Sequence, residues 1–178
     1  MIIGDSQTVR RLLLFRHAKA ITFQAGMDDL ARTLIPRGRK DSARIGSYMA
    51  TEALVPDRVL VSPSTRTLET WKFTAPAFPS VPEEMTMEGL YEATSDAIIA
   101  IIRQTPAAIQ SLLVIGHNPG LHRVALALIA SGNANSRQQL RKKLPTSGLV
   151  IIDFAFDDWN KLERKSGRLD RFLTPSSL

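Results

Sequence analysis

Short apolar runs that lack any polar alternation are the feature that most constrains how this chain can fold. Three β-prone segments contain them: Val9 to Phe15, Arg58 to Val61 and Leu112 to Ile115. Such runs are typical of strands that are buried on both faces, as in a parallel sheet covered by helices. Segments with helical periodicity separate them, so the sequence predicts an α/β fold, a three-layer α/β/α sandwich with a mostly parallel central sheet.

The remaining segments predict the rest of this order. The expected elements are a helix over 37–54, a turn Ser62-Pro63-Ser64 leading into a helix with Arg66 in its first turn, a helix capped by Thr94 or Ser95, a helix from Asn118 (cap) and Pro119 through Ala130, a basic surface excursion over 133–145, and a last strand from Leu149 to Phe156.

Length and composition favour one soluble domain. With 178 residues and 44% apolar side chains, we expect a single domain over 1–178. The chain has no cysteine, which excludes disulfide scaffolds, zinc–thiolate sites and thiolate nucleophiles. Its apolar runs are shorter than the ~20 residues of a membrane-spanning helix, and its N-terminus does not resemble a signal peptide. We therefore expect a cytoplasmic protein with no membrane partner.

The net charge of +6 and the pI near 10.1 favour anionic ligands. The basic stretch 137–143 has no interleaved aromatic residues on which bases could stack, and only 6% of the chain is aromatic. This pattern favours a solvated face, and we expect no nucleic-acid partner.

Charged and imidazole side chains follow the three buried runs at the points where those runs end. Arg16-His17 follows the first, Arg66 the second, and His117-Asn118 the third. Because ligands in such sheets bind beyond the carboxyl ends of the strands, these groups are predicted to share one crevice. Guanidinium groups and helix starts bind phosphate oxygens, so the crevice is predicted to be a phosphate pocket. An arginine that ends a buried strand with no adjacent acid also needs an anionic partner.

Other chemistries are disfavoured by the spacing of the candidate residues. His122 lies five residues after His117 and does not share a helix face with it, so no metal site is expected and His122 is interpreted as structural or solvent-facing. Ser62 and Ser147 lack the Gly-x-Ser-x-Gly elbow of a serine nucleophile. Phosphate-loop and dinucleotide signatures are absent, and no cofactor is expected.

Taken together, these motifs resemble the histidine phosphatase superfamily, which has a phosphoglycerate mutase-like fold. The small size, the turn Pro145-Thr146-Ser147-Gly148 and the segment Leu169 to Pro175 resemble its SixA-type phosphohistidine phosphatase branch. The motifs that carry the resemblance are Leu14-Phe15-Arg16-His17-Ala18-Lys19, Arg32-Thr33-Leu34 with Gly38, Val61-Ser62-Pro63 with Arg66 and Thr70-Trp71, Leu90-Tyr91-Glu92, and Gly116-His117-Asn118-Pro119-Gly120.

The resemblance implies a role for each candidate residue. His17 would attack phosphorus and carry the phosphoryl group, and Arg16, Arg66 and His117 would compensate its charge without a metal. Lys19 and Asn118 are further candidates for substrate binding, with a solvated lysine equally open. Glu92 stands where many members carry the general acid, although the SixA-type branch often has none there, and a solvated carboxylate is an equally open interpretation. Glu88 and Asp96 rank below it.

We therefore expect a metal-independent phosphatase that acts on phosphohistidine or phosphomonoesters through a phosphorylated His17. Its partner would be a phosphohistidine protein of a phosphorelay or a small phosphorylated metabolite. The alternatives are a small-molecule phosphatase, a catalytically silent phosphate-binding module and, from the surplus charge, a nucleic-acid binder. The sequence leaves the oligomeric state open.

Overall fold

A computed structural model describes residues 9–178 of the chain; the N-terminal residues on which the signal-peptide expectation drew lie outside them. The strands are β1 (Arg10–Arg16), β2 (Arg58–Val61), β3 (Glu83–Thr86), β4 (Ser111–Gly116), β5 (Ile129–Gly132), β6 (Leu149–Phe154) and β7 (Gly167–Leu173). The helices are α1 (Pro36–Thr51), α2 (Thr65–Thr74), α3 (Ser95–Arg103), α4 (Gly120–Leu128) and α5 (Ala134–Lys142). No helix in this described part is long and apolar enough to cross a membrane.

The strands form one sheet with the order β3-β2-β4-β1-β6-β7-β5. The pairs β2/β3, β2/β4, β1/β4 and β5/β7 are parallel, whereas β1/β6 and β6/β7 are antiparallel. The expectation of a mostly parallel sheet is confirmed.

Alternate residues of the central strands feed two separate apolar cores. Leu13 and Phe15 of β1 pack with residues of α1 and α2 on one face, whereas Leu12 and Leu14 pack with residues of α3 and α4 on the other. Because successive side chains of a strand point to opposite faces, a run without polar residues is what a doubly covered strand requires. The three-layer α/β/α arrangement is confirmed.

Several elements differ from the sequence expectations. Strands β3, β5 and β7 were not predicted, and the excursion 133–145 contains helix α5, whose Leu140 is buried in the core. The last predicted strand ends at Phe154 rather than at Phe156, and β7 follows it. All four residues of β3 are exposed and β7 mixes charged with apolar residues, so neither shows the continuous apolar run by which buried strands are recognised.

The predicted start and end of the fourth helix are also corrected. Pro119 occupies the position before α4 and makes no side-chain cap, and α4 ends at Leu128 because Ile129 begins β5. The Asn118 side chain donates instead to the carbonyl oxygen of Leu144 at 2.8 Å. A partner distant in the chain has replaced the local capping bond that the sequence favoured.

Candidate active site

The register of three adjacent strands brings the predicted site residues together. Phe15 of β1 and Val61 of β2 both pair with Ile115, since β4 lies between the two strands. His17 and His117 therefore follow neighbouring strand ends, and their ring centroids lie 5.4 Å apart. The amide of His17 donates to the carbonyl oxygen of Gly116 at 3.1 Å, which ties the two ends together.

His17 is held in one tautomer by the backbone. Its Nδ1 lies 2.8 Å from the carbonyl oxygen of Ala18, and a carbonyl can only accept, so Nδ1 carries the proton. A neutral ring then has its lone pair on Nε2. The side chain is buried, with 8% of its surface exposed.

Burial keeps both imidazoles neutral. It lowers the pKa of His17 from 6.5 to about 3, and the nearby charges of Arg66 and Arg16 add to this. It also lowers the pKa of His117 from 6.5 to about 4, with Arg66 as the next cause. For both rings, the loss of hydration on burial is the largest cause of the lowered pKa.

His117 is oriented by two neighbours. Its Nε2 lies 2.7 Å from the hydroxyl oxygen of Ser62, and its Nδ1 lies 3.3 Å from the terminal nitrogen Nη2 of Arg66. A guanidinium only donates, so Nδ1 accepts and Nε2 carries the proton that it donates to Ser62. Tyr91 packs against the ring in a T-shaped arrangement, with centroids 5.6 Å apart.

Arg16 lacks a carboxylate partner within residues 9–178. It is half-buried, burial lowers its pKa, and its hydrogen bond is to the carbonyl oxygen of Leu144 at 3.0 Å. Leu144 also accepts from Asn118, so one carbonyl fixes both side chains. The sequence predicts that Arg16 needs an anionic partner. Residues 9–178 provide no carboxylate for it, so this role is left to a ligand.

Arg66 does have a carboxylate partner, Asp29, which the sequence did not predict. Arg66 is 6% exposed and donates to the backbone oxygen of Asp29 at 2.8 Å and to its carboxylate at 3.1 Å. Arg32 lies 3.2 Å from the other carboxylate oxygen, and the Tyr91 hydroxyl donates to the carboxylate at 2.5 Å. Tyr91 and then Arg66 lower the pKa of Asp29, which is therefore ionised at neutral pH.

No sequence pattern singled out Asp29. It lies in a short 3-10 helix (Asp29–Ala31) that is distant in the chain from both α2 and Tyr91. Tyr91 belongs to the motif Leu90-Tyr91-Glu92 that carries the family resemblance. Its position next to Glu92 is the only sequence feature that indicates a place for Tyr91 near the site.

Arg66, Tyr91, Glu92 and His117 line a common cleft of about 380 Å³, together with Asp29, Ala93, Thr94, Asn118, Pro119, Gly120 and Arg123. Glu92 is exposed and has a left-handed backbone with φ of 52°. Glu88 and Asp96 do not line this cleft, and the Asp96 carboxylate contacts Arg164. Glu92 is thus the only one of the three acid candidates at the cleft.

Lys19 does not line this cleft and instead lines a second cavity. His122 has a structural contact, since its Nε2 lies 2.6 Å from the carbonyl oxygen of Leu140. Ser147 has a left-handed backbone with φ of 60° and donates its amide to the backbone oxygens of Arg16 and His17, both at 3.2 Å. The turn before β6 therefore supports the end of β1.

Within residues 9–178, no group of three or more His, Cys, Asp or Glu side chains is arranged to hold a metal ion.

Comparison with known proteins identifies the class. No family model matches the chain. An uncharacterized protein of Mycobacterium leprae is 32% identical over 164 residues, which cover 90% of this chain and 99% of the relative. A SixA protein from Agrobacterium tumefaciens superposes with a TM-score of 0.79 and 28% identity, over 93% of this chain and 98% of the other. A protein histidine phosphatase SixA complexed with tungstate shares the fold, with a TM-score of 0.74, 18% identity and coverage of 93% and 97%.

The chain belongs to the histidine phosphatase superfamily. The likeness to its members supports a phosphatase of this superfamily.

Proposed function

We propose that this protein is a phosphohistidine phosphatase that transfers the phosphoryl group to Nε2 of its own His17 and then to water. The observation that carries the proposal is the hydrogen bond from His17 Nδ1 to Ala18, which leaves the lone pair on Nε2 in a ring that burial keeps neutral. A nucleophile must be unprotonated, and this arrangement prepares it without a separate base.

The chemistry proceeds by two displacements at phosphorus. Nε2 of His17 attacks, the bond from phosphorus to the leaving nitrogen breaks, and its electron pair stays on the leaving imidazole. A proton on the other nitrogen of that imidazole makes it a neutral leaving group. Water then attacks the phosphorus on His17, the electron pair of the broken bond from phosphorus to nitrogen returns to Nε2, and phosphate is released as dihydrogen phosphate, which carries both protons of the water.

The cationic groups around the site compensate the negative charge of the transferred phosphoryl group. Arg16 has no carboxylate partner within residues 9–178, so its full charge is available to the phosphoryl oxygens. Arg66 is fixed by Asp29, and its Nε is buried without a hydrogen-bond partner in the described part of the chain. Positioned donors of this kind contribute about 100- to 1,000-fold each to rate in other enzymes. His117, beside His17, is a third group near the transferred oxygens.

A second candidate function is a phosphatase for small phosphate esters. Glu92 favours it, because this carboxylate lines the same cleft as Arg66 and His117. An alkoxide leaves poorly unless a general acid protonates it, whereas a protonated imidazole needs no such help.

The test compares phosphohistidine, free and in a peptide, with a panel of sugar and nucleotide monophosphates. We expect kcat/KM to be highest on phosphohistidine, and we expect the His17→Asn variant to lose turnover of every substrate. A large preference for esters would instead favour the second candidate. Binding of phosphohistidine without turnover by the wild-type protein would show a silent phosphate-binding module and contradict both.

A further inference from the structure

A second cavity is lined in part by Lys19, two residues after His17, and we call it the basic pocket. Its volume is about 290 Å³. It is lined by Lys19, Arg37, Asp41, Lys143, Pro145, Thr146, Thr174, Pro175 and Ser176. These residues come from four parts of the chain: the segment after β1, the first turns of α1, the turn before β6 and the segment after β7.

The basic pocket is held rigidly beside the site. Lys19 lies two residues after His17, and its carbonyl oxygen accepts from the amide of Ile35 at 3.0 Å. A Cβ at Gly38 would come within 2.2 Å of that oxygen, so the backbone of Lys19 lies directly against α1. Thr146 also lines the pocket, and the next residue, Ser147, donates its amide to the backbone oxygen of His17 at 3.2 Å.

The cations of the basic pocket exceed its carboxylates. Lys19, Arg37 and Lys143 face one carboxylate, that of Asp41. Arg37 lies 3.7 Å from Asp41, and 79% of its side chain is exposed, so this ion pair is weak. Lys19 and Lys143 form no ion pair with any carboxylate of residues 9–178. Threonine hydroxyls on the wall are additional hydrogen-bond donors.

We propose that the basic pocket binds a second anionic group of the substrate, next to the phosphoryl group that His17 accepts. The proposal rests on the proposed function and deepens it, because it assigns a substrate with a carboxylate or phosphate beyond the scissile bond. In a phosphoprotein this group would be an acidic side chain near the phosphohistidine, and in a metabolite it would be a second phosphate. Exposed cations beside a site speed encounter and select partners by charge.

The experiment uses two phosphohistidine peptides that differ only in having glutamates or glutamines around the phosphohistidine, and a sugar bisphosphate with the matching monophosphate. Affinities are measured by fluorescence anisotropy for the peptides and by calorimetry for the sugars, in the His17→Asn protein, which cannot turn the ligand over. Turnover of the same ligands is measured in the otherwise wild-type protein.

The test variant is Arg37→Gln/Lys143→Gln, introduced into both backgrounds. The matched control is Lys40→Gln/Lys142→Gln, which removes the same charge from nearby positions of α1 and α5 that do not line the pocket. Both pairs of substituted side chains are exposed, so neither change disturbs the core.

We expect the anionic member of one pair to bind about tenfold more tightly than its neutral counterpart, and the test variant to reduce this preference to about twofold. The control variant keeps the preference. A preference in the peptide pair identifies a protein substrate, and one in the sugar pair identifies a metabolite. No preference in either pair, or the same loss in the control, overturns the proposal. A preference for the anionic ligand without turnover of any ligand supports the basic pocket and overturns the proposed function. Failure of the pocket proposal and failure of the proposed function are therefore distinguishable.

Discussion

The hydroxyl of Tyr91 donates a hydrogen bond to the carboxylate of Asp29 at 2.5 Å, and the same carboxylate oxygen accepts from Arg66 at 3.1 Å. Tyr91 also makes a T-shaped contact with the ring of His117. The Asp29 carboxylate therefore links Tyr91, on the wall of the cleft, to the guanidinium of Arg66. Tyr91 in turn contacts the imidazole of His117. The short hydrogen bond raises the pKa of Tyr91 to about 12, so the phenol remains a donor at neutral pH.

Asp29→Asn is expected to lower kcat/KM by about 10- to 100-fold, because Arg66 loses its charged anchor and misplaced groups are costly in catalysis. Inhibition by orthovanadate, which mimics the phosphoryl group, should weaken in parallel. Tyr91→Phe removes one hydrogen bond and should cost about tenfold or less. Steady-state kinetics and inhibitor titration measure both.

The control for this prediction is Asp28→Asn. Asp28 caps the same 3-10 helix through the amide of Leu30 at 3.0 Å, and asparagine preserves that acceptor. An unchanged vanadate affinity in Asp29→Asn, together with a lower Tm, would show that Asp29 only stabilises the fold.

The depressed pKa values predict how stability depends on pH. In the unfolded chain His17 and His117 bind a proton near 6.5, whereas in the folded chain they do so near 3 and 4. The unfolded state therefore binds more protons in between, and the free energy of unfolding falls as the pH falls from 6.5 through the folded values. Above pH 6.5 both imidazoles are neutral in the folded and the unfolded state, so they no longer make the free energy of unfolding depend on pH.

Urea unfolding at a series of pH values measures this effect. His17→Asn has one fewer depressed imidazole, so its free energy of unfolding should decrease less steeply below pH 6.5 than that of the wild type. The same slope in both proteins would show that burial does not depress the pKa of His17.

Glu92→Gln tests which leaving group the site can protonate. If Glu92 acts as the general acid, the ratio of alkyl phosphate turnover to phosphohistidine turnover should fall by about 100-fold. Asp96→Asn is the control, because its carboxylate contacts Arg164 and lies outside the cleft. An unchanged ratio would place Glu92 outside the reaction and weaken the case for ester substrates.

Gly38→Ala is expected to destabilise the protein by about 1–3 kcal/mol, because the new Cβ would overlap the carbonyl oxygen of Lys19 and the backbones must separate. Gly116→Ala is the control, since its Cβ would meet only the side chain of Leu121 at 3.7 Å. Thermal unfolding compares the two. Equal losses of stability would contradict the close packing of α1 on Lys19.

The convergence of Arg16, His17 and His117 could be predicted from sequence because it depends on a short-range signal. Each residue follows an uninterrupted apolar run, and the parallel register of β1 and β4 then carries both ends to the same edge of the sheet. The family resemblance pointed to the same residues.

The hydrogen bonds of Asp29 to Arg66 and Tyr91 could not be predicted in this way. Its partners Arg66 and Tyr91 lie 37 and 62 residues away, and nothing in its local pattern differs from a solvated loop acid. The wrong cap at Asn118 has a similar cause, since the competing acceptor, the Leu144 carbonyl, is 26 residues away. Such tertiary contacts override local preference and are visible only in the fold.

Trapping of the phosphorylated protein tests the central proposal most directly. The protein is mixed briefly with phosphohistidine labelled in its phosphoryl group, quenched in alkali and digested. We predict label on the peptide that contains His17, stable to alkali and labile to acid as a phosphoramidate is, and no label in His17→Asn. Rapid turnover by the wild-type protein with no label on that peptide, or label that persists in His17→Asn, would contradict it.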